Sequence, residues 1–461
     1  MFSQPNSFMH TNTLIKKILG VLIFISLFFP NTLITIYALL ALALIIYFSW
    51  PKGHLPTLMV CLLFQWVQAS TKIFQSTLAN TSINNYTNSN FGEDAVFISI
   101  TGVLAVALGF HLATKNKITQ RTIFDEKVYS EQYVFKLFLL LFFIGNTADV
   151  ISLIIPGLSQ ITLSISNLQW IGYALLFLTC LKNKKGYKYL VLAFLLEVGV
   201  NLFGYFSNFR EVLLFTMILY LPFIRKPTPL SIITHGLVIY VAYLFFVGWT
   251  GIKGDFRKVL DTETSISYSE RMSTFYDLYN NFNNFEEAEE HGLDRLAYTD
   301  MLMYCLETVP RNIAHENGKL WQGSLEHILM PRFLFPNKRV LNDSDKANAY
   351  TGRQWAGAEE GTSVSIGYIA ESYVDFGYFL MFIPLILLGL LFGFLYNLVN
   401  RLQIDSFLSF AIIASILFFT KLSLLETSGD KLLGAVIINF IVLYTLSRLY
   451  AKKLQSYISR P

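Results

Sequence analysis

Residues 326–379 hold the densest set of side chains able to do chemistry. Arg332, Lys338, Arg339 and Arg353 come first, a Gly/Ser/Thr-rich stretch follows at 361–367, and then come Glu371 and Asp375 at i,i+4 spacing. Guanidinium and ammonium groups bind phosphate oxygens, arginine through a planar fork. A carboxylate shielded by apolar surroundings has its pKa raised and can take a proton from a hydroxyl. The set therefore fits an anionic, membrane-bound substrate. In PRFLFPNK, Pro331 and Pro336 fix backbone angles and hold the cations on a stiff piece of chain. Two readings are open for these cations, anion binding or neutralisation of nearby acids. Two are open for Glu371 as well, a general base or a charge stabilised at a helix N-terminus. Helical spacing predicts that Glu371, Asp375 and Tyr378 share one face.

Arg210 is the other candidate. It lies in FSNFRE, a short polar turn between two apolar runs, at the depth of a lipid headgroup. There it binds a lipid diphosphate or pairs with Glu211. Asp343-Ser344-Asp345 matches the DxD of metal-dependent sugar transferases, but no βαβ pattern surrounds it. GxxxxGK[ST], HExxH and GxSxG are absent, and the seven histidines form no close metal-ligand spacing. The expectation is an activity without metal or cofactor and without a nucleic-acid partner.

Composition says what must position these residues. Of 461 residues 54% are hydrophobic, 16% aromatic and 14% charged, against about 25% charged in soluble proteins. This is the composition of an all-α, polytopic membrane protein. Apolar runs near the length of about 20 residues that a span needs occur at 14–30, 31–49, 55–75, 93–113, 132–155, 161–181, 189–206, 208–224, 230–250, 379–398, 406–425 and 432–450. The expected organisation is a bundle of about nine spans over 1–250, one polar interval over 251–378, and three last spans with a tail over 379–461. Helix-like pieces in the interval, 296–309 and 319–330, stop before Pro310 and Pro331. Cys61, Cys180 and Cys305 suggest no disulfide framework. Glu197 and Asp149 are candidate intramembrane charges, and Lys72, Lys421, Glu426 and Lys431 are expected to snorkel to the interface.

Charge sets the expected orientation. Residues 251–378 carry 20 acidic and 12 basic residues, net −8, whereas the rest of the chain carries 11 acidic and 23 basic, net +12. Short basic loops follow at Lys115–Lys127, Lys182–Lys188, Arg225–Lys226, Arg401 and Arg448–Arg460. In a twelve-span arrangement all of them fall on one side. By the positive-inside rule both termini are then cytoplasmic and residues 251–378 extracytoplasmic.

PRFLFPNK at 331–338, with ESYVDFG at 371–377 leading into a Gly-rich membrane helix, resembles the Wzy-type oligosaccharide repeat-unit polymerases, also called O-antigen polymerases. The span count, the large outer interval before the last three spans and the Arg in the preceding turn are similar too. Two positions depart from the family pattern: Arg339 stands where Pro usually follows the Lys, and Asp375 where Asn is usual. The resemblance implies a metal-independent, inverting glycosyltransferase of GT-C type in the cytoplasmic (inner) membrane. It implies transfer of a growing glycan from undecaprenyl diphosphate to the next lipid-linked repeat unit, with a flippase and a chain-length regulator as partners. Arg210, Arg332, Lys338 and Arg353 would then hold the diphosphate, Arg339, Asp375 and Tyr378 would contact substrate, and Glu371 would deprotonate the acceptor hydroxyl or orient it. A ligase using the same carrier, or a flippase of lipid-linked sugars, are the alternatives.

Overall fold

The computed structural model describes residues 18–51, 54–115, 129–203, 209–223, 229–262, 268–330, 335, 342–357, 363–402, 404–420 and 422–459. Among them the regular structure is entirely helical. That is the expected outcome for long apolar runs, because a helix satisfies its backbone polar groups internally where lipid cannot. A short helical stretch at 18–26 precedes α1 (Thr32–Ser49), α2 (Thr57–Leu78), α3 (Ile83–Thr87), α4 (Gly92–Thr114), α5 (Glu131–Ile154), α6 (Ser159–Ser166), α7 (Leu168–Asn183) and α8 (Tyr187–Phe203). Then come α9 (Phe209–Tyr220), α10 (Pro229–Thr262), α11 (Tyr268–Asn280), α12 (Phe285–Leu296), α13 (Asp300–Thr308), α14 (Lys319–Leu329) and α15 (Asp343–Thr351). The last four are α16 (Tyr368–Leu380), α17 (Phe382–Asn400), α18 (Ser406–Phe418) and α19 (Gly429–Ile458). The pieces expected at 296–309 and 319–330 are present as α13 and α14.

Among the described residues seven helical segments are long and apolar enough to cross a membrane: α1, α2, α4, α5 to Ser152, α6 with α7, α17 and α19. Their outward faces carry large apolar side chains such as Leu33, Leu40, Phe143, Leu387 and Phe394. The chain is therefore a membrane-embedded, all-helical protein.

It forms two compact units, which cut across the division by hydropathy. One comprises residues 194–297 with the stretch up to 22, and the other residues 23–193 and 298–461. In the first, α10 packs against α11 and α12. Its core of Trp249, Ile252 and Phe256 is covered by Phe275, Tyr279 and Phe282.

The second unit holds all seven spanning segments. Its closest helix pair is α4 with α17. A Cβ on Gly389 would stand 2.1 Å from the Val106 carbonyl oxygen, and one on Gly109 would stand 2.1 Å from that of Ile386. The two backbones touch because neither position has a side chain, the usual means of tight packing between helices in lipid. The apolar run at 406–425 is helical only to Phe418, and all of α18 is buried. Beyond it the backbone is irregular and is held by buried amides of α2. Gln65 Nε2 donates to the Leu422 carbonyl (2.5 Å), and Leu425 N–H donates to Gln68 Oε1 (3.0 Å).

Candidate functional site

The polar centre of the second unit is built on α16. Glu371 and Asp375, one turn apart, are each 1% exposed. Each receives the first backbone N–H groups of a different helix. Gly429 N–H, at the start of α19, donates to Glu371 Oε2 (2.6 Å). Leu320 and Trp321 N–H, in the first turn of α14, donate to the two oxygens of Asp375 (3.0 and 2.9 Å). Helix N-termini carry unsatisfied donors and a partial positive charge, so a carboxylate is their natural partner. Trp321 Nε1–H also donates to Ser372 Oγ (2.9 Å). The i,i+4 carboxylates thus seat two neighbouring helices, α14 and α19, which pack against each other.

The expected common face does not extend to Tyr378. Gly377 lies between, with φ +68° and ψ −172°, and breaks the helix. Only glycine adopts such a backbone without strain. Tyr378 follows the break, exposed, with its ring edge-on to Tyr373 at 5.3 Å.

Glu371 is also bound to a cation outside the expected set, Lys346. Lys346 Nζ donates to Glu371 Oε1 (2.9 Å) and to Asp430. Lys346 comes from α15 and Asp430 from the first turn of α19. Next to Asp430, Lys431 pairs with Asp343 (2.6 Å). Asp343 and Lys346 are three apart on α15, so they share a face. Both helices carry the acid before the base, and two crossed ion pairs, Lys346 with Asp430 and Lys431 with Asp343, fasten α15 to α19. Lys431 and Lys72 were expected to snorkel. Both are ion-paired, Lys431 with Asp343 and Lys72 with Asp300 at 3.2 Å. The DxD carboxylates are likewise engaged, Asp343 by Lys431 and Asp345 by the Asn342 amide (2.8 Å).

The electrostatics follow from burial. Burial pushes the Glu371 carboxyl up, Lys346 and the Gly429 N–H oppose the rise, and the Asp430 carboxylate adds to it. Burial works against the Lys346 ammonium, but the two carboxylates outweigh it and hold its pKa above the ordinary lysine value. Burial also raises the Asp375 carboxyl against its backbone donors. The triad has two carboxylates and one ammonium, and the N-terminal dipole of α19 offsets part of the remaining negative charge.

Of the other expected site residues, Arg353 stacks its guanidinium 3.6 Å over the Tyr304 ring. Arg210 is the second residue of α9 in the first unit, and its side chain lies outside the described part. Arg332, Lys338 and Arg339 lie outside the described residues.

A family model described as "Domain of unknown function (DUF8712)" matches residues 55–455. The chain belongs to this DUF8712 family. No curated protein and no solved structure matches it. The DUF8712 match takes in all of α13 to α18 and the whole triad of Lys346, Glu371 and Asp430. Lys346 and Asp430 left only a faint trace in the sequence. Asp-x-x-Lys on one short helix and Asp-Lys at the start of the last span are complementary, but they stand 84 positions apart.

Proposed function

We propose that this chain polymerises lipid-linked oligosaccharide repeat units, as a membrane glycosyltransferase of Wzy type. The reading is a twelve-span GT-C enzyme of the inner membrane with residues 251–378 outside. It transfers the growing glycan from undecaprenyl diphosphate to the next lipid-linked unit. The observation that carries it is the state of Glu371 in ESYVDFG: a buried carboxylate with raised proton affinity, ion-paired to Lys346 at 2.9 Å.

In this reading the acceptor hydroxyl replaces Lys346 at Glu371 Oε1. Its oxygen attacks the anomeric carbon while the bond from that carbon to the diphosphate oxygen breaks, with inversion. The proton passes to Glu371 and the electron pair leaves on the diphosphate, where Arg332 and Lys338 stabilise it. A flippase supplies the lipid-linked units, and a chain-length regulator acts on the polymer.

The test is glycan length on gels from a deletion strain and from strains complemented with variants, with membrane blots for protein level. Single repeats on the final acceptor in the deletion strain, and in Glu371→Gln at normal protein level, are the expected result. General base catalysis is worth about 10²–10⁴-fold. Wild-type polymer in the deletion strain overturns the proposal, and an acceptor without any repeat points to a ligase or a flippase.

A further inference from the structure

Outside the Glu371 centre, one strip of the second unit pairs cations with aromatic rings three times in succession. Helix α13 carries Asp300, Tyr304 and Glu307 at i, i+4 and i+7, and Arg311 follows. Lys72, ion-paired to Asp300, lies 5.7 Å from the centroid of the Tyr86 ring. Arg311 lies 5.2 Å over Phe91, and Arg353 lies 3.6 Å over Tyr304. Trp355 extends the row, its ring 6.2 Å from that of Tyr304.

The strip is built and held. Gly352 ends α15 at φ +64°, and a Cβ there would stand 3.1 Å from Thr308 Oγ1. This turn lies against α13 and delivers Arg353 to the Tyr304 ring. Trp355 is fixed by its backbone N–H to Asn348 Oδ1 (2.6 Å) and its indole N–H to Thr351 Oγ1 (2.9 Å). Ser89 donates to Glu307 (2.5 Å), which ties the start of α4 to α13.

The two arginines are exposed, and among the described residues no carboxylate stands within ion-pair distance of either. A guanidinium lying on a ring is oriented by the cation–π attraction and keeps its N–H edges free. Those edges match a carboxylate bidentately. Sugar rings present apolar C–H faces that stack on aromatic side chains, and hydroxyls that bond to neighbouring polar groups. We infer that this strip, Tyr86–Phe91–Tyr304–Trp355 with Arg311 and Arg353, binds an acidic oligosaccharide in extended form. The binding stands on its own geometry; that the ligand is the growing glycan rests on the function proposed above.

The test uses the purified full chain in neutral detergent and isothermal titration. The probes are an oligogalacturonate and a maltooligosaccharide of equal length. Binding of the oligogalacturonate, weakened by salt, is expected, with loss of about tenfold or more in Arg353→Ala and Arg311→Ala. Both residues are exposed, so their variants fold. Tyr304→Ala adds the ring's share, with a thermal melt as the folding control. Unchanged binding in both arginine variants, or no oligogalacturonate binding at all, overturns the inference. Equal affinity for the neutral sugar overturns the acidic class. In cells, Arg353→Ala is expected to shorten the polymer, whereas Glu371→Gln stops it at single repeats. If deletion of the gene leaves polymer unchanged, the polymerase reading fails while the titration still decides the strip.

Discussion

Lys346 holds two buried carboxylates together, so its removal is expected to be far more damaging than the loss of either acid. Breaking a buried ion pair by deleting one partner costs about 3–5 kcal/mol. Lys346→Met should therefore lower the melting temperature of the detergent-solubilised protein sharply, and Glu371→Gln much less. The pH dependence has a definite sign. The folded-state pKa of Glu371 is raised, so the folded state holds this proton more tightly, and its contribution falls as pH rises through that value. The folded-state pKa of Lys346 is also raised. Its contribution is complete below the ordinary lysine value and is lost as pH rises through the folded one. Without the ammonium, Glu371 rises further. Lys346→Met should thus gain melting temperature on acidification from about pH 8 to pH 5, and by more than the wild type. An equal response in both would show that Lys346 does not govern Glu371. Glu371 and Asp375 were legible as a pair because helical spacing is local. Lys346 was not, because its partners lie 25 and 84 positions away.

At the level of elements, α16 is the seat for two other helices, and each seat can be loosened separately. Asp375→Ala removes the acceptor at the start of α14 and should cost about 0.5–2 kcal/mol, as loss of a helix cap does. Asp375→Asn keeps one carbonyl oxygen there and should cost less; the two variants are compared by thermal melts. In the same assay Gly377→Ala should be destabilising, because its backbone is left-handed in φ and the added Cβ would stand 3.2 Å from His315 Nε2. The helices around α16 were readable from apolar periodicity and from the prolines that end them. The break inside α16 was not. ESYVDFGYFL reads as an uninterrupted helix into the span, and a single glycine there is compatible with either backbone. The early end of α18 was equally hidden, since FTKLSLLE continues an apolar run without a breaker.

For the whole molecule, the proposed orientation gives the sharpest test. Lys185 and Asn283 are both exposed, and the twelve-span reading puts them on opposite sides of the membrane. Cysteines introduced there should differ in labelling by an impermeant maleimide on intact spheroplasts. Equal labelling would overturn the twelve-span arrangement. That the chain is helical and membrane-embedded followed from composition alone. The division into two units did not, because residues 194–297 are apolar in one half and polar in the other. Contacts between helices unite them, and hydropathy does not record contacts.

The amides of α2 have a consequence for biogenesis. Gln65 and Gln68 are buried at 0% and 3% exposure, and their backbone partners lie 357 positions further along the chain. Helix α2 leaves the ribosome long before those partners exist. Until then both amides face lipid or borrow donors and acceptors from elsewhere. Helix α18, with 13 residues, spans only about 20 Å of a hydrocarbon layer about 30 Å thick, so it is poorly suited to enter as an independent segment. Insertion of the C-terminal third is therefore expected to complete the packing of the early helices. A chain that stops after α17 should insert and then be cleared by membrane proteases, with Gln65→Leu and Gln68→Leu prolonging its half-life in a pulse–chase. Equal half-lives with and without the two leucines would mean that other groups satisfy these amides in the incomplete chain.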